Sequence, residues 1–146
     1  MQEVFQLFTV LIAKLCRNIK RIKTAEMEEF DLKSPHLTCL HYIYNYGGQS
    51  IKQLCNISEE DKASISRSVD YLEQVGLVYH TSAKKYKNPI ELTEKGEEIG
   101  KTISRKLDVI LEFARAGITD EEATVMYRCL RTISDNLEKI NDKYDK

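Results

Sequence analysis

Turn-forming residues are scarce in this chain, with only 2 prolines and 6 glycines among 146 residues. A sequence with so little to break a helix is expected to form long helices with few turns. There is no glycine-rich phosphate loop, no nucleophile motif and no readable pair of carboxylates, so nothing supports catalysis and no cofactor is expected. The cysteines Cys16, Cys39, Cys55 and Cys129 include no C-x-x-C pair. His36, Cys39, His41, Cys55 and His80 show no compact ligand spacing, so no metal is expected. Long apolar runs are absent too. The apolar stretch at residues 4–15 follows Glu3, is interrupted by Lys14, and lacks both a basic leader and a small-residue cleavage site. It is too short to span a bilayer. These absences predict a cytoplasmic protein with reduced thiols and no membrane association.

An excess of one charge is also missing, since the net charge is −1. The charge is nevertheless segregated. Residues 4–25 contain Lys14, Arg17, Lys20, Arg21 and Lys23 and no acid, and Lys84, Lys85 and Lys87 form a second basic group. Acids gather at 26–31, 59–61, 94–98 and 119–122, several of them at expected helix starts, where the helix dipole favours them. A hydrophobic fraction of 42% beside 31% charged residues describes a globular chain.

Periodicity predicts a helix over residues 3–24 with Val4, Phe8, Leu11, Leu15, Ile19 and Ile22 on its apolar side. Ser34 is expected to cap the next helix, with Pro35 at its first position and Gly47-Gly48 at its end. A short helix follows at 51–55, with a turn at 56–58, and Ser58 is expected to cap a longer helix with Asp61 three residues on. Two strands, 77–81 and 88–92, are expected to enclose the basic turn. Thr93 caps a helix that Gly117 ends, and residues 119–122 form a capping box for the last helix. That helix is expected to carry Met126, Leu130, Ile133, Leu137, Ile140 and Tyr144 at heptad spacing.

The most informative stretch is 60–78. Ile65, Val69 and Leu72 seat its helix on a core. The other face carries Lys62, Ala63, Ser64, Ser66, Arg67 and Tyr71: small, hydroxylated, cationic or flat side chains, as a helix lying in the major groove requires. A short helix, a tight turn and this longer helix make a helix-turn-helix, and the hairpin after it is a wing. The fold expected is mainly α with a small β-hairpin wing. Residues 1–32 and 97–146 serve dimerisation, and 33–96 form a DNA-binding lobe. The terminal helices have more apolar surface than one small domain hides, so a homodimer follows.

The run from Asp61 to Val78 and the segment Ile90-Glu91-Leu92-Thr93-Glu94-Lys95-Gly96 resemble the MarR family of winged-helix transcription factors, and the resemblance covers nearly the whole chain. It implies a dimer on a pseudo-palindromic operator, with each recognition helix in a major groove and each wing near a minor groove. It also implies release from DNA on binding a small-molecule effector, an oxidant or a metal. Effector cavities of the family lie between the terminal helices and the lobe, where Phe5, Phe8, Tyr42, Tyr46, Phe113 and Tyr127 are the aromatic candidates. The family's wing carries an Asp-x-Arg near its tip, whereas residues 82–87 here supply only lysines. Lysine brings charge without the guanidinium fork, which shifts sequence discrimination onto Ser64, Ser66 and Arg67.

The DNA contacts expected are thus Ser34, His36, Lys62, Ala63, Ser64, Ser66, Arg67 and Tyr71, with Lys84, Lys85 and Lys87 on phosphates. The function expected is a sequence-specific transcriptional regulator acting as a repressor. Two other readings stand beside it. One is a winged helix used for protein interaction; the other is a thiol-based sensor, with Cys16 beside Lys14, Arg17 and Lys20 as the candidate thiol.

Overall fold

The structure, a computed structural model, describes residues 2–58, 60–81 and 88–145, with side chains from residue 6 onward. Six helices and one hairpin follow in the order α1 (Gln2–Glu26), α2 (Ser34–Tyr46), α3 (Ile51–Ile57), α4 (Lys62–Gln74), β1 (Val78–His80), β2 (Ile90–Leu92), α5 (Glu94–Ala114) and α6 (Asp120–Asn141). The mainly α, winged helix-turn-helix class expected from the sequence is the one found. A 3-10 turn, Glu28–Phe30, follows α1. The chain divides into two compact units, Met1–Val109 and Ile110–Lys146.

In the first unit, Leu37, Leu40 and Ile43 of α2, Ile51 and Leu54 of α3, and Ile65, Val69 and Leu72 of α4 are buried together with Leu77, Val78, Ile90, Ile103 and Leu107. Met27, just beyond α1, is fully buried as well, a core residue that the helical periodicity did not single out. The strands are antiparallel, pairing Val78 with Leu92, Tyr79 with Glu91 and His80 with Ile90. Gln49 adds one further bridge, exchanging backbone hydrogen bonds with Ile90 at 2.9 and 3.3 Å. The strands are shorter than expected, and Pro89 stands just outside β2, where its missing N–H costs no ladder bond.

Two helix starts differ from expectation, and a third carries a cap the sequence reading did not include. The N-cap of α2 is Lys33 and Ser34 is already helical. The Lys33 N–H donates to His36 Nδ1 at 3.1 Å, so a histidine does what a capping-box glutamate does. Helix α3 continues to Ile57 and Ser58 lies beyond its end, with its hydroxyl accepting from the Glu60 N–H. Asp61 is the N-cap of α4, accepting from the Ser64 N–H at 2.7 Å. A carboxylate at that position satisfies an orphan donor and complements the dipole, which Ser58 is too far back to do. Ser50 and Gln53 form an unforeseen reciprocal capping box at α3.

The junction between recognition helix and wing is built from backbone. Gly76 has φ +78°, and the Leu77 N–H returns to Leu72 O at 2.8 Å while the Gly76 N–H bonds Glu73 O, a Schellman ending. Thr93 then locks this turn to α5. Its N–H donates to Leu77 O, its hydroxyl donates to Gly76 O at 2.7 Å, and the same oxygen accepts from the Gly96 N–H. A Cβ at Gly96 would lie 2.0 Å from Leu77 O. The L-T-x-x-G pattern is therefore a packing requirement of this turn.

In the second unit, α6 opens with the expected box: Thr119 Oγ1 accepts from the Glu122 N–H, and Glu122 Oε2 accepts from the Thr119 N–H. Arg115 pairs with Asp120. Leu130, Leu137 and Ile140 of the seam are exposed in the single chain, as are Leu11, Leu15 and Ile19 on α1.

Gly96→Ala is expected to destabilise the chain by about 3 kcal/mol or more, lowering the melting temperature by roughly 8 °C. Gly100→Ala, whose Cβ would meet only the Tyr44 side chain at 3.0 Å, should cost clearly less in the same thermal melt.

Candidate nucleic-acid interface

Helix α4 sits on its buried row and turns Lys62, Ala63 and Arg67 to solvent. Ser64 and Ser66 are half-buried beside them. The Ser64 hydroxyl donates to Glu60 Oε2 at 3.1 Å, which leaves only its lone pairs to offer a base. Ser68, one turn on, is buried and returns its hydroxyl to Ser64 O. A face of small side chains around one exposed guanidinium can approach base edges without collision and fork onto a guanine or a phosphate. His80 ties β1 to this helix, its Nδ1 lying 2.9 Å from Glu73 Oε1. Lys84, Lys85 and Lys87 lie outside the described residues.

Tyr71 and His36 are brought together. Their rings stack with centroids 4.4 Å apart and planes 15° from parallel. Because His36 Nδ1 accepts a backbone N–H, that nitrogen carries a lone pair and the ring proton resides on Nε2. Burial, then the positive charge of Lys33, holds the His36 pKa below the usual histidine value. Tyr71 is thus a platform against the start of α2, at the edge of the exposed face of α4. Ser34 is half-buried at that start, and its carbonyl accepts from the Thr38 hydroxyl.

Beside this stack opens a cleft of about 940 Å³ lined by Arg17, Lys20 and Arg21 of α1, by Lys33, by the His36–Tyr71 pair, and by Glu28 and Asp31. The sequence showed the cations without showing their convergence, although the spacing of 17, 20 and 21 places them on one helical face. A smaller cavity of about 210 Å³ is lined by Cys16, Lys20, Lys23, Ser34 and Tyr42 among others. Tyr42 is the one aromatic candidate that lines either space among the described residues; the Phe5 side chain lies outside them.

The thiols are dissimilar. Burial pushes Cys39 up to about 12, with Cys55 and Glu60 adding to the shift, and burial and Asp61 also raise Cys55. Both stay protonated and unreactive at neutral pH. Cys16 and Cys129 are exposed. Among the described residues, no group of three or more His, Cys, Asp or Glu side chains could hold a metal ion, and no helix is long and apolar enough to cross a membrane.

Residues 30–85, from the end of the 3-10 turn through the helix-turn-helix into the wing, match the model of the MarR family. Over that segment the chain is similar to the MarR family. Solved structures agree over nearly its full length. A putative MarR-family regulator from Listeria monocytogenes, solved with a 26-mer DNA, is 26% identical over 86% of this chain and 85% of its own, with a TM-score of 0.78. A MarR-family regulator from Neisseria meningitidis is 19% identical over 98% and 99% of the two chains, with a TM-score of 0.80. MepR of S. aureus, solved with DNA, is 19% identical over 89% and 96%, with a TM-score of 0.75. The family match and the DNA-bound Listeria structure support a transcriptional regulator that binds DNA.

The His36 environment has a pH signature. The unfolded chain protonates His36 near the ordinary value while the folded chain resists, so the unfolded state binds more protons as pH falls through about 6.5. Stability should therefore fall between pH 7 and pH 5. His36→Gln, which keeps an acceptor for the Lys33 N–H and does not titrate, should show a smaller drop in melting temperature over that range.

Proposed function

We propose that this chain is a repressor that binds a pseudo-palindromic operator as a homodimer and is released by a small-molecule effector. The observation carrying the DNA-reading part is the seating of α4. Its buried row and the Thr93–Gly76 lock fix the helix and the wing as one unit, with Lys62, Ala63 and Arg67 outward. Two such units read two half-sites only if their helices stand about 34 Å apart, one turn of DNA. Exposed apolar side chains on α1 and on α6, including Leu11, Leu15, Ile19, Leu130, Leu137 and Ile140, support pairing with a second copy through the terminal segments.

Within this reading Arg67 contacts a base or a phosphate directly, with Ser66 and Ser64 beside it and Lys62 on the backbone. Ser34 and His36 approach phosphate at the start of α2. Lys84, Lys85 and Lys87 add charge from the wing without the guanidinium contact of the usual family wing, so the helix carries more of the discrimination.

A gel shift on the DNA flanking the protein's own gene tests this. Binding should weaken at least about a hundredfold between 50 and 200 mM salt, as release of counterions from several phosphates requires. Arg67→Ala should cost about 1–3 kcal/mol on the specific site and little on unrelated DNA. A loss equal on all sequences would make Arg67 a phosphate contact. Binding indifferent to salt would remove DNA as the partner and favour a protein-interaction module.

A further inference from the structure

We propose that Glu60 sets the polarity of base reading: by holding the Ser64 hydroxyl proton it makes Ser64 an acceptor only, so that each half-site presents an exocyclic amine, on adenine or cytosine, to this side chain. The inference rests on the repressor reading above and names a specificity-determining pair within it. Ser64 is the third residue of α4, in the first turn, the part of a groove-lying helix that meets base edges. Its polar groups are almost all engaged. The amide donates to Asp61 Oδ1 at 2.7 Å, the carbonyl accepts from the Ser68 hydroxyl at 2.8 Å, and the hydroxyl donates to Glu60 Oε2 at 3.1 Å. A hydroxyl has one proton and two lone pairs, and a carboxylate only accepts. The Ser64 side chain therefore retains lone pairs and no donor.

Glu60 is itself held. Its N–H donates to Ser58 Oγ at 3.3 Å in the turn before α4, and the residue is half-buried. Ser66, two residues beyond Ser64, is the contrast. Among the described residues its hydroxyl has no hydrogen-bond partner, so it turns to donate or accept as a base requires. In the major groove adenine N6 and cytosine N4 donate, whereas thymine O4 and guanine O6 accept. An acceptor-only hydroxyl set against a keto oxygen brings lone pairs together and leaves both groups unsatisfied. Glu60 thus acts as a positioning residue: it rejects keto bases at one position through Ser64, without itself touching the DNA.

Selection of a preferred duplex from a random pool by the full-length protein opens the test. Ser64→Ala then identifies the base pair whose discrimination depends on that hydroxyl; the Asp61 cap survives this change because it uses the backbone N–H. Reversing that pair, which exchanges amine and keto oxygen between the strands, should weaken binding of the unaltered protein about five- to tenfold and leave Ser64→Ala indifferent. Deleting the amine alone, with purine in place of adenine or 2-pyrimidinone in place of cytosine, should cost the unaltered protein a similar factor and Ser64→Ala nothing. In Glu60→Gln the hydroxyl is free to donate, so reversal should cost less than about twofold, while the lost negative charge tightens binding to every sequence alike. Ser64→Thr, which keeps the hydroxyl, should retain the discrimination, and Ser66→Ala should leave it unchanged. A cost that follows deletion of the keto oxygen and not of the amine overturns the assignment of an acceptor. Undiminished discrimination in Glu60→Gln overturns the role of Glu60. A preferred duplex in which no position depends on Ser64 overturns the whole proposal and leaves the repressor reading standing. Selection of no duplex at all removes the repressor reading, and the proposal with it.

Discussion

The position of the recognition helix depends on one knot of backbone hydrogen bonds around Leu77. Its N–H closes the end of α4, its carbonyl receives the Thr93 N–H, and the Gly96 backbone lies against that carbonyl, closer than any side chain would allow. Neighbouring Gly76 supplies the left-handed φ and an acceptor for the Thr93 hydroxyl. The two elements that the proposed reading places in different grooves of one DNA segment are thereby joined through backbone hydrogen bonds. Core packing holds α4 down, and this knot, with the His80–Glu73 contact, fixes where the wing departs from it.

Electrostatics acts on top of that frame. A chain with almost no net charge can still hold nucleic acid if its cations are grouped, because the potential felt by a phosphate is set within roughly a Debye length, about 8–10 Å. The grouping is twofold along the sequence, at Lys84, Lys85 and Lys87 and at Lys14, Arg17, Lys20, Arg21 and Lys23 of α1. Glu60 and Asp61 stand at the start of α4, where the dipole welcomes carboxylates, and Glu60 also occupies the Ser64 hydroxyl. Acids at the N-terminus of a groove-reading helix stabilise the helix and repel the phosphates around it. In the proposed reading Arg67, exposed further along the same helix, outweighs that repulsion.

Much of this was legible in the order of residues. The heptad seam of α6, the box at Thr119 and the glycines ending α2 and α4 stand where spacing put them, because each rests on a local rule. The errors were local as well. Ser34 and Ser58 looked like caps, since serine before proline or before an acidic turn is a frequent helix start. The actual caps depend on φ and ψ and on a partner three residues on, which is His36 for Lys33 and the Ser64 N–H for Asp61. The cleft was illegible for a different reason. Its walls come from residues 17–36 and from residue 71, and no local rule brings Tyr71 onto His36. Residues 82–87, expected to form the wing tip, lie outside the described residues.

The central claim is that α4 and the wing act as one rigid unit, present twice on the DNA. Hydroxyl-radical and methylation footprinting of the bound operator test it directly. The account predicts two protected major grooves centred about 10 base pairs apart on one face of the helix, each flanked by a protected minor groove. A single protected groove, or major-groove protection with no flanking minor-groove signal, would contradict it.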